Sequence, residues 1–108
     1  MIDRWTPEDV AKRLREDPDS LTLLDVREPE ERSLVAIEPS LHIPMGEVLE
    51  RIGEIPRDRP IVVYCHMGGR SEMIAVLLET EGFEHVVNLV GGIDAWSESV
   101  DPALPRYS

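Results

Sequence analysis

The run Ile61-Val62-Val63-Tyr64-Cys65-His66-Met67-Gly68-Gly69-Arg70-Ser71 narrows the choice of fold more than any other stretch of the chain. Ile61 to Tyr64 is short, apolar and β-branched, the composition of a strand buried on both faces of a parallel sheet. Gly68 and Gly69 follow, and glycine tolerates positive φ and leaves backbone amides uncovered. From Ser71 onward, Glu72-Met73-Ile74-Ala75-Val76-Leu77-Leu78-Glu79 is rich in helix formers. The expected geometry is strand, loop, helix N-terminus, with the only cysteine of the chain where the strand ends.

That geometry has chemical consequences. A loop curling into a helix start aims backbone N–H groups inward as an anion nest, and the helix dipole adds positive potential at the same point. Arg70 closes the loop with a full charge. A Cys65 thiol facing these groups should ionise at low pH, within the range of about 3.5–7.5 that activated thiols occupy. Its thiolate would be a nucleophile. A lone cysteine is more often a small buried apolar residue. The preceding strand, the glycine pair, Arg70 and the helix start together put the reactive reading ahead.

The candidate site is therefore Cys65 as nucleophile with the loop His66, Met67, Gly68, Gly69, Arg70 and Ser71 around it. For Ser71 two readings stand side by side: a hydroxyl donated to the thiolate, or a helix cap. Arg70 is expected to be the charge on the anion side, the plainer reading being an arginine paired with a local acid. His66 reads as a rim or specificity residue, because a thiolate preformed by the loop needs no general base. His42 and His85 read as structural or surface residues. No cluster has metal-ligand spacing, and no cofactor is expected.

Charge and length limit the partners. The chain has 108 residues, enough for one domain over 1–108 and too few for two. Acids outnumber bases 22 to 11, a formal net charge of −11, which argues against nucleic acid or an anionic membrane as partner. No apolar run reaches membrane-spanning length, and no basic-then-apolar leader opens the chain, so a cytoplasmic protein is expected. One cysteine excludes an internal disulfide and fits a reducing compartment.

Taken in order, Ile2 to Trp5 reads as a short strand. Thr6-Pro7-Glu8-Asp9 is a helix start, with a capping hydroxyl, a proline suited to the first position and acids suited to the dipole. Asp17-Pro18-Asp19 breaks that helix, and Leu21 to Val26 is a second buried strand. Glu28-Pro29-Glu30-Glu31 opens a short helix whose acids are expected to form a solvated face rather than a binding surface. Leu41-His42-Ile43 is a short strand stopped by Pro44. Val48, Leu49, Ile52 and Ile55 mark one face of a helix ended by Pro56. Gly82 is expected to close the helix after the loop. Val86 to Leu89 is the last strand. Gly91-Gly92 turns into a helix with Ile93, Trp96 and Val100 on one face, and residues 101–108 form an extended wrap. Strands alternating with helices imply a parallel α/β sheet covered on both faces, with ligands beyond the carboxyl ends of its strands. Cys65 lies at such an end, and so do Asp25 and Arg27.

Four segments are also familiar in sequence. Cys65-His66-Met67-Gly68-Gly69-Arg70-Ser71 resembles the active-site loop of the rhodanese (sulfurtransferase) family. Asp25-Val26-Arg27-Glu28, His42-Ile43-Pro44 and Gly91-Gly92-Ile93-Asp94-Ala95-Trp96 resemble its other signatures, in the family's order. Leu41 and Met45 stand where members often have glycine. The resemblance implies a five-stranded parallel sheet in the order 1-5-4-2-3, which sets the Cys65 strand beside the Asp25 strand. Asp25 and Arg27 then read as an ion-paired brace more than as substrate contacts.

The resemblance also implies an activity: transfer of a sulfane sulfur from thiosulfate or a similar small donor, through a Cys65 persulfide, to cyanide, a thiol or a sulfur-carrier protein. Two other classes compete. Cysteine phosphatases use a similar loop, but with five residues between Cys and Arg; here four, His66 to Gly69, make a narrower ring suited to sulfur. A rhodanese-like module can also bind a partner or sense oxidants without turnover. The segment Val100 to Tyr107 resembles the ends of rhodanese domains fused to ubiquitin-activating-like sulfur-incorporation enzymes.

Overall fold

Period-two alternation along the apolar strands sets the architecture of the computed structural model, which describes residues 1–108. The elements follow one another as β1 (Asp3–Trp5), α1 (Pro7–Glu16), β2 (Thr22–Asp25), α2 (Pro29–Leu34), β3 (Leu41–His42), β4 (Ile61–Tyr64), α3 (Gly69–Thr80), β5 (Val86–Leu89) and α4 (Gly92–Ser99). All strand pairs are parallel, and the order across the sheet is β1-β5-β4-β2-β3, as the rhodanese resemblance implied. β4 is central, with Leu24 of β2 and Asn88 of β5 both in register with Val63.

Because successive side chains on a strand point to opposite faces, β4 feeds two cores. Ile61, Val63 and then Cys65 lie on one face with Ile74, Ala75 and Leu78 of α3. Val62 and Tyr64 lie on the other with Val10 and Ala11 of α1 and Ile93 and Trp96 of α4. A four-residue strand buried on both sides exposes nothing but its ends, so the residue just past its carboxyl end is where chemistry can begin.

Local signals place the helices. Thr6 Oγ1 accepts the Asp9 N–H at 3.2 Å, and Pro7 fills the first helical position of α1. α3 ends as expected at Gly82: its N–H donates to Glu79 O, and the Phe83 N–H donates to Leu78 O, both at 3.1 Å. No helix is long and apolar enough to cross a membrane.

One expected element is absent. The helix read over residues 48–55 is replaced by two 3₁₀ turns, Met45–Glu47 and Ile52–Glu54. Gly46 and Gly53 weaken helical propensity there, and Arg51 clamps the segment from outside through Glu47 and Glu54. Tighter turns rotate the side chains differently from an α-helix. Val48 and Ile55 stay buried, but Leu49 swings out to 56% exposure. Val48→Ala is expected to cost about 2 kcal/mol through lost burial and a cavity, and Leu49→Ala less than about 0.5 kcal/mol. Urea unfolding of the two variants measures both.

Candidate active site

β4 delivers Cys65 to the carboxyl edge of the sheet, where it is 1% exposed. Its Sγ accepts the Gly68 N–H at 3.1 Å and the Ser71 N–H at 3.4 Å, and lies 3.4 Å from Ser71 Oγ. Burial pushes the thiol pKa up; the Ser71 hydroxyl, when turned toward the sulfur, and the amides of Ser71, Gly68 and Met67 outweigh it and bring the pKa below the ordinary thiol value. The loop turns at Gly68, whose φ of +111° only glycine adopts without strain, and Gly68 is the N-cap of α3. Gly69 does not share that role; it is the first helical residue, and a side chain there would meet open space.

The back of the loop is held by α4. Ile93 N–H donates to Cys65 O at 3.0 Å and Asp94 N–H donates to His66 O at 3.1 Å. In a trans peptide the C=O and N–H point in opposite directions. Fixing these two carbonyls against α4 therefore turns the N–H groups of His66 and Met67 away from it, into the loop. The approach is close enough that a Cβ on Gly92, where φ is +62°, would stand 2.5 Å from His66 O and 2.6 Å from Cys65 O.

Ser71 does not cap the helix. It lies within the first turn, and its Oγ donates to Asn88 Oδ1 at 2.6 Å. Arg70 is not a free charge either. Its guanidinium makes a two-pronged pair with Glu31, at 2.6 and 2.8 Å. Glu31, expected on a solvated face, also accepts the Tyr107 hydroxyl at 2.6 Å, and the Arg70 guanidinium holds its carboxyl down to a pKa of about 2.

The tail forms the outer wall. Arg106 pairs with Asp94 at 2.9 Å, and the Tyr107 ring stacks on His66 with centroids 3.9 Å apart. An open cavity of ≈ 510 Å³ lies there against Met67, Asp94, Arg106 and Tyr107. The Tyr107 ring thus covers His66, whose Nε2 is buried. Asp25 and Arg27 are fully buried and paired at 2.8 and 2.9 Å. Neither touches Cys65; they brace α2, through Arg27 to Val35 O at 2.7 Å, and the tail, through Arg27 to the Tyr107 hydroxyl at 3.1 Å. His42 binds Arg27 O and His85 binds Asp3, both structural.

With this geometry in view, the matching family is decisive. A family model described as "Rhodanese-like domain" matches residues 6–99. The chain belongs to the rhodanese family. A "Sulfurtransferase" of Allochromatium vinosum is 38% identical over 97 residues, covering 90% of each chain. The "Putative sulfur carrier protein YrkF" of Bacillus subtilis is 43% identical, covering 73% of this chain and 43% of that protein. The "Probable adenylyltransferase/sulfurtransferase MoeZ" of Mycobacterium tuberculosis is 36% identical, and this chain spans only 23% of its length. Among solved structures, a rhodanese-related protein from Thermoplasma volcanium superposes with a TM-score of 0.78 at 32% identity, covering 95% of both chains.

Three residues that the structure brings to the candidate site escaped the sequence reading. Asn88 left a signal, a lone amide in the strand Val86-Val87-Asn88-Leu89. Glu31 left a fainter one, three residues past the Glu28 cap, where its side chain accepts the Glu28 N–H at 3.1 Å. Tyr107 left none.

Two outcomes are expected. Gly92→Ala forces a side chain into the carbonyls of Cys65 and His66. It should cost at least about 1–3 kcal/mol in stability from left-handed strain alone, and should raise the pH at which Cys65 is alkylated. For Glu31→Gln, the pH sign is fixed. The folded carboxyl titrates near about 2 and an ordinary one near 4.5, so its stabilisation is full above 4.5 and is lost as pH falls toward 2. Wild type should exceed Glu31→Gln in stability at pH 7, with the gap closing below pH 4.5. Denaturant midpoints across pH measure this, and a constant gap contradicts it.

Proposed function

We propose that the chain is a sulfurtransferase that carries sulfane sulfur on Cys65. The observation that supports this most directly is the ring of loop amides converging on one sulfur at the end of a buried strand. The Cys65 thiolate attacks the outer sulfur of thiosulfate. A new S–S bond forms, the bond to the sulfonate breaks, and sulfite leaves with the electron pair. The product is an enzyme persulfide with an anionic terminal sulfur, and the loop amides stabilise that charge as an oxyanion hole does. Cyanide or a thiol, including a thiol on a sulfur-carrier protein, then attacks the terminal sulfur; a bond to that sulfur forms, the S–S bond breaks, and the Cys65 thiolate is regenerated, a ping-pong cycle. With one cysteine in the chain, the acceptor must come from outside these 108 residues. The relatives named as sulfurtransferases and as a putative sulfur carrier support the reading.

The Arg70–Glu31 pair bears on the choice of donor. An arginine held by a two-pronged carboxylate presents little net charge to a dianion. This weighs against a phosphatase, whose substrate needs a free guanidinium fork. Thiosulfate is also a dianion, so the same pairing favours a donor of lower charge, such as a small-molecule persulfide.

The test is intact mass of reduced protein after thiosulfate, with Cys65→Ser as control and a cyanide chase. The expected result is a gain of one sulfur atom, absent in the control, removed by cyanide with thiocyanate formed. No gain from thiosulfate or from a small-molecule persulfide would reject sulfur transfer and favour a binding or oxidant-sensing module.

A further inference from the structure

Ser71 Oγ has one proton and two neighbours that could receive it. Asn88 Oδ1 lies 2.6 Å away and Cys65 Sγ lies 3.4 Å away. An amide oxygen only accepts, so the short bond fixes the hydroxyl as donor to Asn88. The amide itself cannot turn round. Asn88 Nδ2 donates to Gly68 O at 3.2 Å and to Glu72 Oε1 at 3.0 Å, both pure acceptors. A flipped amide would set oxygen against both. Ser71 therefore shows a lone pair to the sulfur. That arrangement suits a thiol, which donates to it, and not a thiolate, which needs a donor.

The placement of Asn88 follows from the fold. Its neighbours Val87 and Leu89 pack on the α4 face, so alternation sends Asn88 to the α3 face, the face of Cys65. It is 6% exposed, in register with Val63 of the strand that carries the cysteine.

We propose that Asn88 is a positioning residue that keeps the Ser71 hydroxyl proton away from Cys65 and so sets how readily, and how reactively, that sulfur ionises. When the thiol loses its proton to solvent, the Ser71 hydroxyl can serve the thiolate only by rotating about its Cβ–Oγ bond. Rotation strips Asn88 Oδ1 of its hydrogen bond in a buried place, a cost of the same order as the bond gained. Asn88 thus withholds part of the stabilisation that Ser71 would otherwise give. A thiolate less stabilised in this way stays more nucleophilic, because nucleophilicity falls as thiol pKa falls. Once a persulfide forms, the charge moves to the outer sulfur and the Ser71–Asn88 bond is undisturbed.

Other charges near the sulfur are already compensated. Arg70 is paired with Glu31, Glu72 with Arg4 of β1, and Asp94 with Arg106, while His66 is stacked under Tyr107. The Ser71 proton is the adjustable part.

The proposal takes the reactive-thiol reading of Cys65 as its base, and its test does not require sulfur transfer. The rate of alkylation of reduced protein by iodoacetamide is followed against pH for wild type, Asn88→Leu, Ser71→Ala and the double variant; the single cysteine makes the readout specific. Leucine keeps the branching of the asparagine side chain, though it is bulkier, and offers Ser71 no acceptor. Asn88→Leu should lower the Cys65 pKa by about one unit and lower the high-pH plateau rate by about threefold. In the Ser71→Ala background Asn88→Leu should shift neither. An unchanged or raised pKa in Asn88→Leu, with near-ultraviolet circular dichroism showing a native fold, overturns the proposal. So does an equal shift with and without Ser71. Should Asn88→Leu not fold, Asn88→Ala and Asn88→Thr are measured instead; alanine should reproduce the fall, and threonine, whose hydroxyl restores an acceptor, should remove it. Failure of mass gain from sulfur donors alongside these shifts would reject the sulfurtransferase reading alone.

Discussion

Two hydrogen bonds at the N-terminus of α4 hold the site in shape. The N–H groups of Ile93 and Asp94 have no partner within their own helix, and they find one in the carbonyls of Cys65 and His66. This settles an orphan-donor problem for α4 and a peptide-orientation problem for the loop at once. The loop can then gather N–H groups on its inner side without spending side chains on the task. Gly92 is the condition for this contact, because only a residue without Cβ lets the helix come so near. The two segments that meet there are far apart in sequence, and it is the β4–β5 adjacency in the sheet that brings them together.

A second principle runs around the rim: every charge near the sulfur has a partner of opposite sign. Asp25 and Arg27 neutralise each other in full burial, Arg27 reaches the Tyr107 hydroxyl, Tyr107 reaches Glu31, and Glu31 holds Arg70. Burying one member alone would be costly, and the chain of partners removes that cost. What faces the sulfur from the loop is therefore backbone N–H, from Gly68 and Ser71, rather than an unpaired side-chain charge.

Much of this was legible in the residues. The central strand, the loop and the following helix announced themselves through β-branched apolar residues, paired glycines and a run of helix formers. Thr6-Pro7 and Gly82 marked helix boundaries through stereochemistry that acts locally. The sheet order was not so readable; it came from resemblance, because strand adjacency is a tertiary property. What failed to show had a common cause. Leu49 keeps helical spacing in sequence, yet the two glycines beside it tighten the turns and turn it outward. Glu31 and Arg70 are far apart in sequence and Glu31 and Tyr107 farther still, and spacing rules carry no information over such distances. Asn88 was visible as an oddity, a polar side chain in an apolar strand, but its role depends on which face it takes and what stands opposite.

The wall formed by Arg106 and Tyr107 belongs to no strand. It is joined to the body by side chains: an ion pair to Asp94, a stacked ring on His66 and a hydroxyl shared between Arg27 and Glu31. It can therefore come away without breaking a single rung of the sheet. The free energy that keeps this fold assembled and the free energy that keeps the Cys65 corner covered are separate quantities. Amide exchange would read them on different clocks, slow in β4 and β5, fast at residues 106–108. Selection or an engineer could alter the second more than the first by changing one aromatic ring at the edge of the fold.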